Sequence, residues 1–132
     1  MLEIINIIVA TAAAFAAGSV YYMKLAEPWM DASGVPRDEN GQPVGGQNPM
    51  LYAKGFVCQL FVAGMMRHVF ELSQIDTIGK GLISGIGIGL FFIAPWIALN
   101  NTYSMRPIKL TIIDGGYAAI ACGVMGLVLT LF

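Results

Sequence analysis

The stretch 78-IGKGLISGIGIGLFFIAPWIAL-99 holds one charge, Lys80, and that lies near its start. As an α-helix rising 1.5 Å per residue it crosses a hydrocarbon core of ~30 Å. Three more windows read the same way: about Leu2 to Tyr22, about Met50 to Leu72 and about Leu110 to Phe132. Composition agrees. Of the 132 residues, 57% are hydrophobic and 11% charged, against about 45–50% and 25% in ordinary soluble domains. So short and apolar a chain cannot hide its surface from water by folding on itself, which leaves lipid as its solvent. The expected fold is therefore an all-α integral membrane protein. Its four transmembrane helices form an up-down bundle over residues 1–132, because the last two connections are short.

The first window contains a small-residue run, Ala12 to Gly18, that imitates a signal-peptide cleavage site. Its first residues carry Glu3 and no Lys or Arg, whereas a signal peptide wants a basic start. Retention as a membrane helix is expected. The second window carries Lys54, Gln59, Arg67 and His68. The two cations lie near its ends, where their stems can snorkel to the headgroups. Residues 27–49 form the one long loop, rich in Gly, Pro, Asn and Gln from Asp31 onward. Its composition predicts turns at Asn40-Gly41 and Gly45-Gly46 and a mobile segment.

In this arrangement Tyr21, Tyr22, Trp29, Tyr52, Trp96 and Tyr103 all fall on one membrane face, as an interfacial aromatic belt requires. Lys24, Arg37, Lys54, Arg106 and Lys109 flank that face, and Arg67 and Lys80 the other. The excess of basic residues predicts a cytoplasmic aromatic face with both termini outside. Helices in lipid associate through small residues that let backbones approach. Gly81, Gly85 and Gly89 in the third window, Gly115, Ala119 and Gly123 in the fourth, and Ala10, Ala14 and Gly18 in the first have that spacing. The fourth also carries a second stripe, Ala118, Cys122 and Gly126. These stripes predict packing within the bundle, with spare faces left for another protein's helices. Pro95 is expected to kink or end the third helix.

Two groups of residues resemble a known family. The first is Gly18-Ser19-Val20-Tyr21-Tyr22 followed by Pro28-Trp29-Met30 and Gly34. The second is Asn101-Thr102-Tyr103-Ser104 followed by Ile113-Asp114-Gly115-Gly116-Tyr117 and Met125-Gly126. With four spans, they resemble the bacterial membrane-protein family called domain of unknown function 1761. The resemblance implies a small multi-span protein of a bacterial inner membrane, cytoplasmic or intracytoplasmic, without an established catalytic activity. It carries over no functional residue.

Few residues invite chemistry. Asp114 stands about a turn inside the fourth span, where a carboxylate is costly unless paired. It reads as a salt bridge or helix-end contact in an interfacial polar cluster with Asn100, Asn101, Tyr103, Arg106 and Lys109, ahead of a proton or ion site. His68, the one histidine, is too few for a zinc site and reads as an interface residue ahead of an axial ligand to haem or a pigment. Cys58 and Cys122 have no metal-type spacing. No metal or cofactor is predicted, and a net charge of −1 marks no nucleic-acid partner. Hydrolase, zinc-protease and phosphate-loop motifs are absent. Polar groups look scarce at mid-depth in spans one, three and four, which argues against a channel.

The resulting expectation is a non-catalytic accessory subunit docked through its helices, amid membrane lipids, onto a larger respiratory or photosynthetic complex. A small homo-oligomeric transporter using Asp114 stands second, and a pigment- or haem-binding protein using His68 third.

Overall fold

The computed structural model describes residues 1–132 and is all-helical. Helix α1 spans Leu2–Lys24 and α2 Ala26–Ser33. Helix α3 spans Pro49–Leu72. The third membrane helix runs over Ile78–Tyr103 as α4 (Ile78–Ile88), a π-helical turn (Gly89–Ile93) and α5 (Ala94–Tyr103). Helix α6 spans Ile108–Leu129. Four of these helices are long and apolar enough to cross a membrane: α1, α3, Ile78–Tyr103 and α6.

Two features depart from the sequence reading. Residues 27–33, expected in the loop, belong to α2 (Ala26–Ser33). The ring of Pro28 opposes the carbonyl of Lys24, so α1 breaks at Leu25 and a new helix begins with proline in its first turn. Gly34, at φ +71°, closes α2 with a left-handed cap. Pro95 does not end the third helix, which continues to Tyr103. The π-turn just before it absorbs the proline: the N–H of Ala94 reaches back to Gly89, one residue further than an α-helical bond.

The loop after α2 is organised by its own contacts. Arg37 pairs with Glu27 at 3.1 Å and with Asp31, one turn further along α2. Asp38 accepts from the backbone N–H groups of Asn40 and Gln42, both at 2.9 Å. Arg37 and Pro43 form an antiparallel bridge. Asn48 caps α3 by accepting from Met50 at 3.0 Å, with Pro49 in the first helical position.

The helices alternate in direction, but neighbours in sequence are not always neighbours in space. Helix α6 is the centre of the bundle. It contacts α1 on one side and α4–α5 on the other. Helix α3 packs against α1 and one edge of α6 and makes no substantial contact with α4–α5, despite the short link at 73–77. Burial follows: 56% of the apolar window of α6 is enclosed, against 11% for α3 and 11% for Ile78–Tyr103.

Candidate functional site

The α4–α6 seam is a backbone-to-backbone contact. A Cβ on Gly81 would strike the Gly126 carbonyl, on Gly85 the Cys122 carbonyl, and on Gly89 the Ala118 carbonyl. The partner of the α4 glycines is thus the second α6 stripe. The first stripe serves neighbouring contacts: Gly123 faces Ile86 and Leu82, Gly115 faces Ala94, and the Cα of Ala119 lies beside Gly89. Ala10, Ala14 and Gly18 are buried on α1, and Gly18 makes room for the ring of Tyr117.

Between α1, α3 and α6, polar groups occur at three depths. On the face bearing the termini, Asn6 is 1% exposed although it lies in an apolar helix. Its amide donates to the carbonyls of Val128 (3.3 Å) and Phe132 (3.2 Å), and its oxygen accepts from Arg67 at 2.6 Å. Arg67 also meets Glu71 at 3.4 Å and Glu3 at 3.9 Å. Near mid-span, the Tyr117 hydroxyl donates to the Ala14 carbonyl at 2.8 Å and lies 3.0 Å from Oε1 of Gln59. Toward the loop face, Tyr21 donates to the Ile113 carbonyl (2.6 Å) and Tyr22 to Asp114 (2.7 Å). Spans one and four are therefore less barren than their hydropathy suggests. The first layer is separated from the other two by an apolar plug that includes Ala10, Ala63, Met66 and Met125.

Half of the expected aromatic belt turns inward. Tyr21, Tyr22 and Trp29 are half-buried and cluster with Tyr117, with ring centroids 5.2–6.2 Å apart. Tyr52, Trp96 and Tyr103 stay exposed on the bundle surface. The reason is the hydroxyls of Tyr21 and Tyr22, which find acceptors on α6.

The expected polar cluster is dispersed. Asp114 takes a hydroxyl rather than a cation: Arg106 instead donates to the Ser33 carbonyl at 3.3 Å, and Lys109 is exposed without an ion-pair partner. Asn101 donates to Thr111 at 3.1 Å, while Asn100 and Tyr103 are exposed. His68 is exposed on the outer side of α3, where it lines a shallow groove with Ile7, Leu60, Phe61, Gly64 and Met65. No three His, Cys, Asp or Glu side chains are grouped to hold a metal ion. Sequence reasoning passed over Asn6 and Tyr117 as functional candidates. A lone Asn in an apolar helix is the signal that points to Asn6, since such groups hydrogen-bond across helices.

Tyr117→Phe should destabilise the bundle by about 1 kcal/mol, a typical value for one interhelical hydrogen bond in a membrane. Thermal unfolding in mild detergent measures it, and Gln59→Leu should cost no more, because Tyr117 retains the Ala14 carbonyl.

Fold and site together define a four-span integral membrane bundle whose polar groups are spent mainly on holding its helices together. Residues 5–130 match the model of the family described as a protein of unknown function (DUF1761), and the chain belongs to that family. No curated protein and no solved structure matches it.

Proposed function

We propose that the protein is a non-catalytic accessory subunit that docks sideways, through the outer faces of α3 and Ile78–Tyr103, onto the helices of a larger membrane complex. One observation carries the reading. The inward glycines are accounted for by close contacts, yet a Cβ on Gly64, Gly79 or Gly87 would enter open space, meeting no atom of a neighbouring element within 4 Å. Glycine costs a helix about 1 kcal/mol relative to alanine, and the bundle itself draws no packing benefit from these three. Around them stand Phe61 (76% exposed), Met65 and Ile83, a surface of knobs and gaps suited to an incoming helix. The apolar plug across the α1–α3–α6 seam weighs against transport along it.

On native gels of membranes solubilised in mild detergent, the protein should migrate with a larger assembly. Gly64→Leu together with Gly87→Leu should release it, while its own melting temperature does not fall. A wild-type chain that runs alone, or only with copies of itself, ends this reading. The membrane would be a bacterial inner membrane with the loop face cytoplasmic, supported by five of the seven Lys and Arg residues lying on that face. Labelling of a cysteine placed at Asn40, in Cys58→Ser protein in intact cells, tests the orientation: only a membrane-permeant maleimide should react.

A further inference from the structure

Asp114 has an unusual pairing for a carboxylate set into a membrane helix. It lies six residues from the start of α6, about 9 Å along the axis. At that depth a charge is costly unless paired. None of the five ion pairs in the protein includes it. Oδ1 accepts from Tyr22, and Oδ2 takes no protein hydrogen bond. Asp114 is half-buried, and since no enclosed side-chain oxygen or nitrogen in the protein lacks a partner, Oδ2 is not fully enclosed. Beside it is an aromatic group. The ring of Tyr22 stands 6.2 Å from Trp29, 5.2 Å from Tyr21 and 5.3 Å from Tyr117.

We infer that Asp114, with Tyr22 and Trp29, forms a binding site for an ammonium group carried on a lipophilic body. A carboxylate oxygen without a protein hydrogen bond accepts an N–H, and an aromatic group beside it attracts the same cation. The alternatives fit the residues less well. A divalent metal needs several oxygen ligands, and no three His, Cys, Asp or Glu side chains are grouped here to supply them. An anion would be repelled by Asp114, and of the nearest basic side chains in sequence Arg106 is engaged with the Ser33 carbonyl and Lys109 forms no ion pair with it. The ammonium comes either from a membrane-soluble amine or from the headgroup of an aminophospholipid.

The test uses the full chain in phosphatidylglycerol nanodiscs, with Trp96→Phe so that Trp29 is the sole tryptophan. Titration with phenethylammonium should change Trp29 fluorescence saturably. Asp114→Asn should weaken that response at least about tenfold, a loss of roughly 1.4 kcal/mol, and Asp114→Glu should restore most of it. Neutral 2-phenylethanol should give no saturable change with the wild-type carboxylate, a comparison that holds even if Asp114→Asn does not fold. Replacing half the lipid with phosphatidylethanolamine separates the sources. Competition marks the lipid headgroup as ligand, and an unchanged curve marks the free amine. A response that never saturates, or that is the same for the alcohol and the amine, overturns the site.

Discussion

Gly85→Ala is expected to destabilise the bundle by about 3 kcal/mol, the upper range for overpacking a close contact, although alanine is the better helix former by about 1 kcal/mol. The added Cβ falls on the carbonyl of Cys122 and within 3.2 Å of the Gly123 Cα. Both obstacles are backbone, so no side-chain rotation relieves the clash. Helices α4 and α6 must separate, and the dispersion contacts at Gly81–Gly126 and Gly89–Ala118 weaken with them. In lipid no hydrophobic exclusion compensates, because hydrocarbon tails are as apolar as the faces they cover. Gly87→Ala is the control. It lies on the same membrane helix with open space around it, and should be neutral or stabilise by up to about 1 kcal/mol. Denaturant unfolding in mixed micelles measures both. Equal effects at the two positions would refute the seam as described.

Asn6→Leu is expected to cost about 2 kcal/mol, even though leucine suits a membrane helix far better. The size follows from three hydrogen bonds, each worth about 0.6 kcal/mol on average between membrane helices. Asn6 joins three elements: it sits on α1, donates to carbonyls at the end of α6, and accepts from Arg67 on α3. Removing it leaves the Val128 and Phe132 carbonyls without that donor and strips Arg67 of its shortest contact. Arg67 retains Glu71 and Glu3, both on exposed side chains, where ion pairs are worth about 0–1 kcal/mol. Arg67→Met should be destabilising by a similar amount. The two changes should not add, and a double-mutant cycle should return a coupling of roughly 1 kcal/mol. Strict additivity would show that the Asn6–Arg67 contact contributes nothing.

How far the sequence could be read depended on the kind of information each feature carries. The four spans were legible because hydropathy over some twenty residues is set by composition alone. The stripes Gly81-Gly85-Gly89 and Ala118-Cys122-Gly126 were legible as faces, since helical periodicity places them in register. Which stripe meets which was not, because it depends on how α4 and α6 lie against each other. The α2 helix was hidden within a polar stretch whose order comes from Arg37 bridging Glu27 and Asp31, a contact between residues on opposite sides of a turn. Asp114 stood out as a carboxylate in an apolar helix, yet its partner is Tyr22, 92 positions away, while neither Arg106 nor Lys109 forms an ion pair with it.

The sequence by itself therefore determined the solvent, the four membrane helices and their alternating direction, all of which follow from local transfer energies and backbone geometry. Tertiary structure alone decided that α6 is central, that α3 hangs on α1, and that Tyr21 and Tyr22 leave the interfacial belt for acceptors on α6. The physical reason is that helices in lipid gain little from mere burial. Their arrangement is chosen by where backbones can touch and where a few polar groups can meet, and both depend on residues far apart in the chain.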